Sequence, residues 1–143
     1  MNSVYLSARF ERRDELNQYR LELEALGLKV TSRWLETDPP SGRRLTEEEW
    51  QALAAVDCDD VQRATWFIGF SDPPELRHGM ARHVEYGMAV ALGKRVIVVG
   101  EREHIFHRLG DVTVVEDWGE ALRLLLNDEA FALAAAEASH QAR

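Results

Sequence analysis

Thr65-Trp66-Phe67-Ile68-Gly69-Phe70 is an unbroken apolar run closed by Ser71-Asp72-Pro73-Pro74. A strand with one face in water alternates apolar and polar residues, whereas a strand covered on both faces has no need to. The run is therefore expected to be a central strand with helices above and below it. Its flanks agree. Upstream, Thr46 and Glu49 make a capping-box pair that opens a helical region over 47–64, with Trp50, Leu53, Val61 and Ala64 as its apolar positions. Downstream, a helix from about 79 to 92 ends at Gly93 and leads into Arg95-Val96-Ile97-Val98-Val99, the clearest strand of the sequence.

Further out the alternation continues. Residues 3–8 read as a strand, and 12–26 carry Leu16, Tyr19, Leu23 and Leu26 at helical spacing before Gly27. Residues 28–34 form a second β-rich segment, followed by the turn-forming run 37–42. Val112-Thr113-Val114-Val115 makes a weaker fifth strand, and an Ala- and Leu-rich helix from Gly119 to about Glu137 closes the chain. Strands alternating with helices imply right-handed crossovers. The expected architecture is one α/β domain over residues 1–143, a three-layer sandwich with a five-stranded parallel sheet of flavodoxin- or Rossmann-like type. Ligands of such sheets gather beyond the carboxyl ends of the strands. That directs attention to residues 7–13, 33–44, 71–83 and 100–107.

The chain has 143 residues, with 17 Lys and Arg against 25 Asp and Glu, a formal charge of −8 that argues against a broad basic surface for nucleic acid polymers or anionic membranes. The single cysteine, Cys58, excludes an intramolecular disulfide and a cysteine-built zinc site. Residues 1–13 lack the apolar run of a signal peptide, and the longest uncharged apolar stretch, 86–92, is too short to span a bilayer. A cytoplasmic protein is expected. Residues 87–94 resemble a P-loop only superficially, because the spacing is one residue too long and no Ser or Thr follows Lys94. No GxGxxG follows the first strand, so no dinucleotide is implied and no cofactor is expected. His104 and His107 share a helical spacing but have no third ligand nearby, so they read as structural rather than as a metal site.

Two acids interrupt apolar stripes. Glu85 falls within the stripe Ala81, Val84, Met88, Ala89, Leu92, where a hydrophobe belongs. The alternative is an edge position at which it pairs with Arg82. Asp57 interrupts Leu53, Val61 and Ala64, or else caps a second helical piece beginning at Cys58, with Asp59 and Asp60 solvated. If both acids face one cleft, burial and mutual repulsion push their titrations apart and leave one ionised and one protonated. Such a pair cleaves glycosidic bonds.

Together with Tyr5-Leu6-Ser7-Ala8, Asp57 four residues before Val61, and the 66–70 strand, the segment Glu85-Tyr86-Gly87-Met88-Ala89-Val90-Ala91-Leu92-Gly93-Lys94 resembles the nucleoside 2-deoxyribosyltransferase family and its deoxynucleoside 5′-monophosphate N-glycosidase relatives. The resemblance covers roughly residues 3–100. It implies that Glu85 attacks C1′ of a nucleoside or nucleotide, that Asp57 protonates the departing base, and that Tyr5 steers the Glu85 carboxylate. Tyr5 also reads as a plain buried strand residue. The resemblance further implies a homodimer or higher homo-oligomer. Departures are Ala8-Arg9 in place of Gly-Pro, and a longer 75–83 loop in place of a short glycine turn. That loop brings Gly79, Arg77, His78, Arg82 and His83 to a helix N-terminus, which suggests a phosphate and hence a nucleotide. Ser7 and Arg9 follow the first strand as further substrate contacts, and Phe10 and Trp34 are candidates to stack on a base, Trp34 alternatively capping the core. Other functions open to such a chain are a TIR-like NAD glycohydrolase and a non-catalytic nucleotide-binding module.

Overall fold

The computed structural model describes residues 2–38 and 42–141; for residues 130–136 and 138–141 it describes only the backbone. The strands β1 (Ser3–Ser7), β2 (Lys29–Val30), β3 (Trp66–Phe70), β4 (Arg95–Val99) and β5 (Val112–Val115) form one sheet in the order β2-β1-β3-β4-β5. Every pairing is parallel. The helices are α1 (Arg13–Ala25), α2 (Glu47–Arg63), α3 (Ala81–Ala91) and α4 (Trp118–Gln141). This is the expected three-layer α/β sandwich, and its strand order is the flavodoxin-like one.

Strand alternation sorts the core into two halves. Val4, Leu6, Ile68, Phe70, Ile97 and Val99 face Leu16, Leu23, Ala121 and Leu125 of α1 and α4. Tyr5, Phe67, Val96 and Val98 face Val61 and Ala64 at the end of α2 and Tyr86 and Ala89 of α3. Tyr5 and Ser7, two residues apart on β1, thus share the face covered by α2 and α3. Both are buried.

Four expectations change. The second strand shrinks from 28–34 to Lys29–Val30, and Arg33–Leu35 turns as a 3₁₀ helix. The reason is local: the Ser32 hydroxyl and the Trp34 indole, rather than backbone groups, take up Leu6 N–H and C=O. On α3 the buried positions are Tyr86 and Ala89, while Val84 is 62% and Leu92 51% exposed, so the apolar stripe read from sequence lay off the true inner face. On α2, Trp50 and Leu53 are exposed for the same reason. Finally, α2 runs unbroken through Asp57, which caps nothing, and Asp60 is wholly buried instead of solvated. The capping box of Thr46 and Glu49 forms as expected. The Pro39–Ser41 part of the expected turn, and the alanine side chains of the closing helix, lie outside the described residues.

Candidate active site

Glu85 projects from α3 toward the end of β1. There the Tyr5 hydroxyl donates to one carboxylate oxygen, and the Ser7 hydroxyl donates to the other at 3.2 Å. Tyr5 is itself fixed by stacking on Phe67, with ring centroids 5.7 Å apart. The carboxylate therefore has a set direction. Among the described residues, no Lys, Arg or His forms an ion pair with Glu85 or Asp57, although the chain carries many such pairs. Burial raises the Glu85 pKa to about 7; the Tyr5 hydrogen bond works against that rise and the charge of Asp57 adds to it. Asp57 rises to about 6 through burial and the neighbouring Asp60, with Arg33 opposing. Glu85 in turn pushes the Tyr5 phenol, already desolvated by burial, far above its ordinary value.

Both acids line a cavity of about 470 Å³, within the range of small-molecule sites. It opens at the carboxyl ends of β1 and β3, where the strand order reverses. Its walls include Arg9, Phe10, Trp34, Gly79, Met80 and Arg82. Gly79 has φ +94°, a backbone state that favours glycine, and it lets the loop turn into α3. The first turn of α3 has no side-chain cap, and the Met80 carbonyl accepts from the N–H groups of His83 at 3.0 Å and Val84 at 3.2 Å, which leaves those of Ala81 and Arg82 as the uncapped donors of the turn.

The structure thus gathers Tyr5, Ser7, Asp57 and Glu85 at one place, with Arg9, Phe10, Trp34, Gly79 and Arg82 around the opening. His83 is set apart. It faces His104, whose Nε2 lies 3.2 Å from His83 Nδ1, and borders a separate hollow of only about 10 Å³. The cations of the 75–83 loop are also more occupied than the sequence suggests. Arg82 makes a two-pronged pair with Glu103, and Arg77 reaches Glu103 at 3.0 Å. Asp72, 1% exposed at its side chain, meets Arg9 at 3.3 Å. Sequence reading missed Asp72 and Glu103, although it flagged both loops. Asp72 looked like an ordinary turn residue between Ser and two prolines, and Glu103 carried no local signal. Met80, 78% exposed at the rim, was also missed.

His107 is buried and accepts from the Glu103 backbone N–H at 3.0 Å, and burial beside His104 lowers its pKa to about 4. Among the described residues, no group of three or more His, Cys, Asp or Glu is arranged to hold a metal ion. No described helix is long and apolar enough to cross a membrane.

No family model matches the sequence, and no curated protein does. Solved structures do. A CMP N-glycosidase, BcmB, from Clostridium botulinum superposes with a TM-score of 0.58 at 19% identity, covering 88% of this chain and 98% of that one. A 2-deoxyribosyltransferase from Bacillus psychrosaccharolyticus gives a TM-score of 0.65 at 20% identity, covering 83% of this chain and 89% of that one. These are the two kinds of protein that the sequence segments resemble. The chain shares their fold over most of its length.

Proposed function

We propose that the protein cleaves the N-glycosidic bond of a (deoxy)nucleoside 5′-monophosphate through a glycosyl-enzyme on Glu85. The observation that carries this reading is the Glu85 carboxylate, held by Tyr5 and Ser7 at the wall of a cavity that also presents Asp57. A cation paired to Glu85 would blunt its nucleophilicity; none of the described residues supplies one.

In the first step a Glu85 oxygen bonds to C1′ as the C1′–N bond breaks, and the bonding pair leaves with the base. Asp57 supplies a proton to that nitrogen. The form that reacts is the one with Asp57 protonated and Glu85 ionised; burial and Asp60 raise Asp57 to about 6, so near neutrality this form is a minority of the protein. In the second step, water attacks C1′, Asp57 takes its proton, and the C1′–O bond to Glu85 breaks, releasing sugar phosphate. If a second base attacks instead of water, the reaction is transfer.

Arg9 and the uncapped start of α3 at Gly79–Arg82 suit a 5′-phosphate, and Phe10 and Trp34 offer flat surfaces for the base. Ser7, by holding Glu85, acts with Tyr5 rather than on the phosphate. His83 does not line the cavity, and this reading gives it no substrate contact. A homo-oligomer fits the same picture, because Met80 at the rim and Val84 one turn on leave apolar surface beside the opening.

Incubation with a panel of ribo- and deoxyribonucleoside monophosphates, followed by chromatography for free base, tests the reading. Base release that disappears in Glu85→Ala is the expected result. Release of nicotinamide from NAD alone would point to a glycohydrolase of the TIR-like kind, and tight nucleotide binding with no turnover to a binding module. Adding a second base separates hydrolysis from transfer.

A further inference from the structure

Strand β2 pairs with β1 only at Ser3 and Val4, so the second half of β1 lacks a strand on that side. Thr31 N–H still reaches Val4 C=O at 2.9 Å. Beyond it, side chains replace the ladder: Leu6 N–H donates to Ser32 Oγ at 2.7 Å, and the Trp34 indole N–H donates to Leu6 C=O at 2.9 Å. Leu6 lies between Tyr5 and Ser7, the two donors that hold Glu85. The turn carrying Ser32 and Trp34 therefore sets the tip of β1.

What holds that turn is Asp60. Its carboxylate is wholly buried and accepts from the backbone N–H and Nε of Arg33, both at 2.8 Å, and from Arg63 Nη2 at 2.8 Å. The Asp60 carbonyl also accepts from Thr31 Oγ1 at 2.8 Å. Arg33 sits between Ser32 and Trp34, so one buried acid on α2 grips the centre of the turn whose two flanks grip Leu6. We infer that Asp60 is a positioning residue of the site: through the Ser32–Trp34 turn it clamps Leu6, and so aims the Tyr5 and Ser7 hydroxyls at Glu85. Its catalytic part rests on the function proposed above; its mechanical part does not.

Hydrogen exchange followed by NMR in Asp60→Asn, with β4 residue Ile97 as an internal reference, tests the clamp. Exchange of the Leu6 amide and the Trp34 indole N–H is expected to speed up about tenfold more than that of Ile97. Where Asp60→Asn does not fold, Arg33→Ala takes its place, because it removes the side-chain bond from the turn to Asp60 and leaves Arg63 on the buried acid; Ser32→Ala, which releases Leu6 N–H without disturbing a buried charge, tests the turn's hold on Leu6. In Ser32→Ala the ¹³C-detected titration of the Glu85 carboxyl is expected to move to higher pH as its donors loosen. In assays of base release, each variant should lower kcat about tenfold and leave KM within about twofold. Exchange that rises equally at Leu6, Trp34 and Ile97, or an unmoved Glu85 titration, would overturn the inference. Absence of base release in the wild-type protein would sink the proposed function alone, since the exchange and titration still report on the clamp.

Discussion

Two sets of inward-facing acids share this molecule and are treated in opposite ways. Asp60, Asp72 and Glu103 are each matched by arginine: Asp60 by Arg33 and Arg63, Asp72 by Arg9, and Glu103 by Arg77 and Arg82. Glu85 and Asp57 form no ion pair with arginine among the described residues, and Glu85 receives only hydroxyl donors. Arginine turns a buried acid into a structural joint, while its absence leaves the acid reactive and poorly solvated. If that division is real, removing a member of each set should have effects of opposite sign on stability and of very different size on activity.

The largest effect is expected at Glu85. Glu85→Gln should lower base release by about 10³-fold or more, because an amide is a poor nucleophile and Asp57, the other acid of the cavity, is taken up with the proton of the departing base. The same change should stabilise the fold. An acid whose pKa is higher in the folded than in the unfolded chain holds its proton more tightly when folded, so its ionisation works against folding. With a value raised from 4.5 to about 7, the penalty is absent below about pH 4.5 and complete above about pH 7, amounting to roughly 3 kcal/mol at most. Thermal melts at pH 5 and pH 8 should show the variant gaining on wild type at the higher pH. A variant that melts lower at pH 8 would break the contrast.

Glu103→Gln should do the reverse. Its side chain is 2% exposed, and although burial alone would raise its pKa, the Arg82 fork and the Asp72 N–H bring it below the usual range. Replacing it leaves Arg82 and Arg77 facing an amide, a loss of about 3 kcal/mol or more in urea melts at neutral pH. Because the folded value is the lower one, that contribution is present above the unfolded carboxyl pKa and fades as pH falls through the folded value. The deficit of the variant should shrink on acidification accordingly.

Asp57→Asn is next in size, with base release expected to fall about 10²-fold. The wild-type rate should follow a bell over pH, with limbs near about 6 and about 7 that belong to the Asp57–Glu85 pair. Without Asp57 one limb disappears. The remaining rise, from Glu85, should shift to lower pH, because the Asp57 charge is one of the causes raising Glu85.

How far the site was legible in the sequence follows from how each side chain is held. Glu85 and Asp57 were visible because an acid at helical spacing among hydrophobes is a local conflict, even though the α3 stripe around Glu85 was drawn off its true inner face. Tyr5 was legible through the resemblance and Ser7 through its place at the end of the first strand; that they share one face follows from strand alternation, which puts i and i+2 on the same side. The central place of β3 and the parallel sheet followed from the apolar run 65–70 and the crossovers, whereas the strand order stayed open between flavodoxin- and Rossmann-like types until the structure gave it. By contrast, Asp60 and Asp59 look alike in sequence and both pair with Arg33; only Asp60 also takes the Arg33 backbone N–H and the Thr31 hydroxyl of a distant turn, contacts with no local trace. Arg82 and Glu103 are 21 residues apart, so the pairing that occupies a cation expected to meet phosphate had no local trace. The short β2 was hidden for a related reason, since side-chain substitution for a ladder leaves the β-rich composition unchanged.

The smallest effect expected, and the finest probe of the contrast, is Tyr5→Phe. Tyr5 is the nearest thing to a partner that Glu85 has, and its hydroxyl works against burial by favouring the ionised carboxylate. The ring stacking on Phe67 does not need the hydroxyl, so the fold should persist. Loss of the donor should lift the Glu85 titration above about 7, moving the acid limb of the rate profile to higher pH. Near pH 6.5 the rate should then fall about tenfold, the factor that corresponds to one pKa unit. Part of that loss should return on raising the pH, because a larger share of Glu85 ionises; the rest reflects the freed orientation of the carboxylate. A pH-independent loss would mean that Tyr5 only orients Glu85 and does not tune it. An unchanged rate across the whole profile would mean that burial and the Ser7 hydroxyl suffice, and the unpaired acid would need no neutral partner at all.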